Sequence, residues 1–526
     1  MVVGHGRPAR LGHPGHLPLR ARDQRREDHR AGLRADRDIG LRPGCVAEHL
    51  RGGIRTGAGR RRMRQGSQGI DRGRLRWAAF ADESEAGMML DKITQALKAR
   101  SELAGWSVRH IITREAQVYL VGHQVEAQRA VDDERYRIEV FRQTTAPDGK
   151  PGMGVGEISM LPGGDVQAAI DKASLVAGLV ANPVHSLPAP APLPDVPLLD
   201  EDLKKDSLGA LKNVTDGMLA AASKHGEVRL TSAEGFAEVN TIRHVNSRGV
   251  DAEQEMTNVN LEFVLQSKQG DREVETFREF GRRRASDLNV QVEVDHNARL
   301  TLDLMEASPP SNWQGPVVLR DNALVTFVAG DHLTAGVLQT LGSASAKYAK
   351  VSNWEIGQSV FRGEVTGDPL TVWANRCIPF GIASNRFDEE GQPAKRVELI
   401  RDNMLVNFSA SQRYADYLGL SPTGAFGGVE LPPGKWDAAS LMSKPYVEIA
   451  LFSWFNPDNI TGDFATEIRL GYLVENGVRK PFKGGQLIGN YLDALADVRW
   501  SSETGFLGHY LGPTTARFGN LKIAGD

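Results

Sequence analysis

The sequence predicts an α+β protein of two domains, a mixed helix/strand domain over residues 88–307 and a β-rich domain over residues 308–526. Three observations lead there. Before residue 307, some stretches carry apolar residues at helical spacing and others alternate apolar with polar. Ser308-Pro309-Pro310 then interrupts both patterns, as a boundary does. From Ser359 onward, short apolar runs are divided by glycine-bearing turns. A chain of 526 residues is long enough for two or three domains with a sizeable core.

Residues 1–87 stand apart. They hold 19 Arg and no Lys against 10 Asp and Glu, so they are about +9 in a chain whose formal charge is −3. Gly, Pro and His are frequent there and no apolar period is sustained. The expectation is a non-native or disordered Arg-rich extension. Arg has GC-rich codons and Lys does not, which suggests GC-rich DNA read upstream of a start at Met88 or Met89. A basic arm for nucleic acid and a transit peptide are the alternatives, but transit peptides are rich in Ser and poor in acid.

Leu90, Ile93 and Leu97 mark a first helix, which is expected to end by Gly105. Val108 to Thr113 reads as a strand, and Tyr136, Ile138 and Val140 alternate with Arg137 and Glu139 in another. Asp148 to Gly156 reads as a loop. Val166, Ile170, Ala173 and Leu179 predict a second helix, and the Pro-rich run Asn182 to Pro197 an extended crossover. A helix over Leu203–Lys224 precedes strands from Glu227 to Ser267, with Val259, Leu261, Phe263 and Leu265 on one face and a turn at Asn246-Ser247-Arg248-Gly249. Arg282-Arg283-Arg284 reads as a solvated loop, with phosphate binding the alternative. Asp287 is the expected cap of a helix bearing Val290, Val294 and Met305, and Asp321 that of a helix running to Leu341 after a strand at Pro316–Leu319.

Within the β-rich half, Asp388 to Pro393 is an acidic turn in which Gly391 is free to take positive φ. Val397, Leu399 and Ile400 form a strand, Asp402-Asn403 a two-residue hairpin turn, and Met404-Leu405-Val406 the return. Ser409 is placed to cap a helix through Leu418 that stops at Gly419. The order of these pieces resembles the TldD/PmbA family, once called modulators of DNA gyrase and now regarded as proteolytic. The matching residues are Asp388-Glu389-Glu390-Gly391-Gln392-Pro393, Ile400 to Leu405 (with Asn403 where Gly is usual), Ala415 to Gly419, and Thr423-Gly424. Thr461-Gly462-Asp463-Phe464, Gly471 to Gly477, Gly489-Asn490 and Ala516 to Gly525 agree with it.

The resemblance implies a choice between two branches. One carries a His-Glu-x-x-x-His helix after a Pro-Val-Val-Leu-like strand, and a Cys near the C-terminus. Two imidazoles and a thiolate suit Zn²⁺, and the Glu serves as base. Here the strand Pro316-Val317-Val318-Leu319 is present, but the following helix reads Ala329-Gly330-Asp331-His332-Leu333. No His in the chain is followed by Glu, and Thr504 to Tyr510 contains no Cys. Cys45 and Cys377 are the only cysteines, and Cys45 lies in the Arg-rich segment, so no Cys-rich zinc site or internal disulfide is expected in the body. The expectation is therefore the PmbA-like branch: no catalytic or metal residue in this chain, zinc in a TldD-like partner subunit, and peptide or unfolded protein as substrate. His332 and His509 are the weaker, metal-binding alternative. Asp463 and Asn490, polar residues in tight glycine turns, are expected either to bond within their turns or to line a substrate channel. No apolar run reaches the roughly 18 residues of a membrane span, no leader-like apolar segment precedes Met89, and neither a phosphate-binding loop nor a Gly-x-Ser-x-Gly elbow occurs. A reduced, cytoplasmic protein follows, with nucleic acid not expected as partner. The rivals are a self-standing peptidase of the family with atypical ligands and a non-enzymatic protein that modulates DNA gyrase.

Overall fold

Alternation written over long stretches produces long strands, and the first sheet of this computed structural model is made of them. The structure describes residues 83–330, 336–443 and 445–525, with side chains from Gly87; the Arg-rich segment up to residue 82 lies outside them. Helix α1 (Glu83–Lys98) is followed by strands β1 (Gly105–Val121), β2 (Gln124–Thr145) and β3 (Pro151–Met160). Helices α2 (Val166–Ala177), α3 (Glu201–Lys205) and α4 (Ser207–Ala222) lead to β4 (Arg229–Asn246), β5 (Asp251–Gln269), β6 (Arg272–Arg282) and α5 (Val290–Glu306). The strands join in the order β3-β2-β1-β4-β5-β6, and every pairing is antiparallel.

All four longer helices cover one face of this sheet. Leu90, Ile93 and Leu97 of α1 and Ile170 and Ala173 of α2 pack on Val108, Tyr136, Ile138 and Val140. Leu211, Val214 and Met218 of α4 and Val294 and Ala298 of α5 pack on Ala116, Val118, Val259, Leu261 and Phe263. The opposite face bears Arg109 and His244, in register with each other and both buried, and it faces the acidic turn.

The second half folds into two sheets over a shared core. Its elements are β7 (Trp313–Arg320), α6 (Asp321–Ala329), α7 (Val337–Leu341), α8 (Ala344–Tyr348), β8 (Val372–Asn375), β9 (Arg396–Arg401), β10 (Met404–Leu405), α9 (Gln412–Leu418), β11 (Gly428–Glu430) and α10 (Ala438–Leu441). There follow β12 (Tyr446–Phe452), β13 (Asp463–Glu475), β14 (Val478–Phe482), β15 (Gln486–Asn490), α11 (Tyr491–Ala496), β16 (Val498–Trp500), β17 (Thr504–Leu507), β18 (Tyr510–Pro513) and β19 (Thr515–Ala524). One sheet runs β10-β9-β8-β11-β18-β17. The other runs β12-β7-β19-β15-β13-β14, and an additional pairing of β12 with β13 closes five of its strands into a ring. Phe327 of α6 packs its ring against Phe464, Tyr491 and Phe518 in the core. No helix among the described residues is long and apolar enough to cross a membrane.

The α+β class stands, and several boundaries move. The first helix ends at Lys98, and Gly105 opens β1 instead of stopping the helix. The expected loop Asp148–Gly156 is a turn followed by β3, because Gly154 and Gly156 let the strand lie against α2: a Cβ at either would sit 1.7 or 2.0 Å from the carbonyl oxygen of Ala177 or Ala173. Leu179 falls beyond α2 and is 78% exposed. Asp206 splits the helix expected from Leu203, capping α4 through the N–H of Gly209. Val406 lies past the end of β10.

Three caps are reassigned. Asn289, not Asp287, precedes α5; Asp287 pairs with Arg284 instead. Arg320 stands at the cap of α6, and that helix ends at Gly330, whose φ of 78° no β-carbon residue adopts readily. Ser411 precedes α9, and Ser409 instead donates to the carbonyl of Gly424 at 3.0 Å. The arginine run is no solvated loop. Arg283 is 2% exposed and donates to the carbonyls of Thr257, Gly381, Ile382 and Ser384, riveting β5 and β6 to the chain before the acidic turn.

Candidate functional site

The motif stretch organises itself around one carboxylate. Asp388, 2% exposed, accepts the N–H groups of Glu390 (3.0 Å) and Gln392 (2.9 Å) through Oδ1, and that of Ala425 (3.1 Å) through Oδ2. It thus closes its own turn and holds the segment after Thr423-Gly424. Thr423 donates to the carbonyl of Phe408 (2.7 Å) and accepts from the N–H of Ala410 (2.9 Å). Gly391 sits at φ 86°, and a Cβ there would lie 2.6 Å from the His244 ring, so both backbone conformation and close approach demand glycine. In the hairpin, Asp402 and Asn403 both take positive φ, 46° and 72°. Asn tolerates that region, and the Asn403 side chain accepts the N–H of Leu370 at 2.7 Å.

This turn faces the polar side of the first sheet. Glu389 pairs with Arg109 of β1. Glu390 accepts from Ser411 Oγ (3.0 Å) and from the N–H of Arg413 (3.1 Å), so it serves as the cap that α9 lacks from Ser411 itself. Burial, and then the Asp388 charge, push the Glu390 carboxyl up to about 7. His244 lies against Gly391 and Phe387; burial, and then Arg109, bring it down to about 3. His185, between Phe141 and Tyr417, is lowered to about 4 by burial and then Arg413. Sequence reading missed Arg109, Glu139, His185, His244 and Arg413 at this place: Arg109 meets Glu389 across 280 residues and Glu139 meets Arg413 across 274, and no local pattern marks either histidine.

Asp463 and Asn490 are brought together, as register partners on β13 and β15. Asn490 donates to Asp463 Oδ1 (3.0 Å) and to the carbonyl of Thr461 (2.7 Å), and its Oδ1 accepts from the N–H groups of Leu492 and Asp493 to cap α11. The bond from Asn490 also holds the Asp463 carboxyl below the usual range. These are turn and cap bonds.

His509 sits after Gly508 in the β17–β18 turn, and its Nε2 lies 3.3 Å from the carbonyl of Gly330, at the C-terminal end of α6. That is the helix on which the zinc-bearing branch would place its ligands. His332 lies outside the described residues. Among the described residues no three His, Cys, Asp or Glu side chains converge closely enough to hold a metal ion.

Residues 318–525 match the family model for the PmbA/TldA metallopeptidase C-terminal domain. That stretch is similar to the TldD/PmbA family. Its fold is that of TldE from Thermococcus kodakarensis, with a TM-score of 0.69 at 18% identity over 83% of this chain and 100% of that one. An uncharacterised protein of Methanocaldococcus jannaschii is 24% identical over 275 residues, 50% of this chain and 62% of that protein. The metalloprotease PmbA of Escherichia coli O157:H7 is 26% identical over 212 residues, 38% of this chain and 44% of that protein. The matches thus span less than two thirds of the length of either of these curated relatives.

Proposed function

We propose that this chain is the PmbA/TldE-like subunit, without a zinc site of its own, of a cytoplasmic heteromeric TldD/TldE-type metallopeptidase that processes peptides and unfolded proteins. One observation carries the reading. The helix that would bear His-Glu-x-x-x-His is here Asp321–Ala329, and the residues after it read Gly330-Asp331-His332, with no His-Glu pair. The second expected ligand is also changed, since His509, not Cys, stands in the segment that meets this helix. A family scaffold kept without its metal ligands is most simply kept for its surface, and a TldD-like subunit bearing zinc is the partner that surface serves. In that partner the metal supplies an activated water.

Mixing this chain with such a subunit should create peptide cleavage that this chain lacks by itself. That cleavage should be lost on chelation or on mutating the partner's His-Glu pair, and should survive His332→Ala here. A second reading, a self-standing metallopeptidase with atypical ligands, draws on the approach of His509 to Gly330 and on the metalloprotease name of the Escherichia coli relative. Chelator-sensitive cleavage by this chain alone, with one zinc per chain lost on His332→Ala or His509→Ala, would establish that reading and overturn the first.

A further inference from the structure

Arg413 stands between two carboxyl groups and its side chain donates to one. Its Nη2 donates to Glu139 of β2 at 2.8 Å, which ties the first sheet to α9 across 274 residues of sequence. Its Nε is buried without a hydrogen-bond partner and lies 3.9 Å from Glu390 Oε1, outside hydrogen-bond reach. A buried guanidinium N–H left unpaired beside a carboxyl is costly, and a small rotation would pair it. The side chains of Arg413 and Glu390 are 27% and 19% exposed, so little water competes for either.

We propose that Arg413 is a shared cation whose partner is chosen by the proton on Glu390. With Glu390 neutral, the guanidinium rests on Glu139 and latches strand β2 to helix α9, as in this structure. When the proton leaves Glu390 for solvent, the Nε–H closes on the new carboxylate and the bond to Glu139 is given up. The change is felt at both ends. Glu390 also caps α9 through Ser411 and the N–H of Arg413, so the helix start tightens onto the acidic turn as the sheet is released.

The groups around Glu390 fit this assignment. Asp388, in the same turn, disfavours a second negative charge, and Arg413 on α9 favours it. Tyr417 of α9 stays neutral, raised to about 12 by burial. On the sheet side, Glu389 occupies Arg109, leaving Arg413 as the cation for Glu390. His244 and His185, both lowered by burial, bring no charge near neutrality. The titration of Glu390 at about 7 places the exchange where modest pH changes act on it.

Amide exchange at pH 6 and pH 8, corrected for the intrinsic rate, tests the latch in residues 134–145 and 412–418 of the full chain. A group moved from one unit below its pKa to one unit above changes its ionised-to-neutral ratio about a hundredfold. Protection in 134–145 should therefore fall several-fold at pH 8 in the natural chain. Glu390→Gln, neutral at both pH values, should keep the pH 6 protection at pH 8. Glu139→Gln should show the low value at both. Equal protection at the two pH values in the natural chain, or an unchanged pH-dependent loss in Glu390→Gln, overturns the proposal. Should Glu390→Gln fail to fold, a loss of natural size in Glu139→Gln overturns it equally.

Discussion

Glu390 makes stability and pH move in opposite senses. Its folded-state pKa of about 7 lies above the ordinary carboxylate value, so the native state holds a proton that the unfolded chain has released. The stabilisation is complete below the ordinary Glu pKa and is lost as pH rises through about 7. His185 and His244 act the other way. Their pKa values, about 4 and about 3, lie below the ordinary His value, so their contribution is present above about 6.5 and is lost as pH falls. Between roughly pH 4.5 and 6.5 the two histidines oppose the one glutamate. The natural chain should lose stability on acidification across that window, and Glu390→Gln should lose it more steeply, as denaturant midpoints measured from pH 4.5 to 8 will show. A second residue-scale expectation concerns Gly391. Gly391→Ala meets the His244 ring at 2.6 Å and strains the backbone, and should cost about 1–3 kcal/mol, read as a lower unfolding midpoint. The glycine itself could be read in sequence as a turn residue. The ring it faces could not, because nothing local connects His244 to residue 391.

At the scale of elements, the period-2 and period-3.6 patterns located strands and helices well, while their ends were set by contacts. Val259, Leu261, Phe263 and Leu265 all face the core as their alternation requires. Arg283 shows the opposite case. A run of three arginines has the composition of a solvated loop, and the middle one is enclosed because β5, β6 and residues 381–384 offer it carbonyl oxygens. Arg283→Ala removes the donor these carbonyls share, with only that of Gly381 shown to keep another in the N–H of Ser384 (3.0 Å), and should destabilise the chain by about 3 kcal/mol. Calorimetry is the check, and a change within 0.5 kcal/mol would show that water replaces the guanidinium. Asn490→Ala removes the cap of α11 and should cost about 1 kcal/mol. If Asn490 only caps and closes its turn, the reconstituted complex should keep its KM for peptide; a raised KM with unchanged stability would assign it to a substrate channel. The pairing of Asp463 with Asn490 was open to prediction from the two glycine turns, whereas the place of His509 against Gly330 depends on the path of two sheets.

For the molecule as a whole, the order of short motifs proved more informative than any one of them. The pieces at Asp388, Ser409 and Thr423-Gly424 look in sequence like separate turns, and the fold locks them together through Asp388 and Ser409. The ring of five strands has a further meaning for how the protein is made. Strand β7, at residue 313, finds one neighbour in β12, and its other neighbour is β19, which begins at residue 515. Strand β15 waits for β19 as well. During synthesis, therefore, the β7 edge stays open on the ribosome for about 200 residues' worth of translation, a period of roughly 10–40 s, and the β15 edge more briefly, for about 25 residues at its end. Unpaired edges recruit other chains. Nascent chains halted before Thr515 should accordingly be held by chaperones or pelleted in a co-translational assay, and those released after Ala524 should not, which makes the last ten-residue strand the clasp on which solubility of the newborn protein depends.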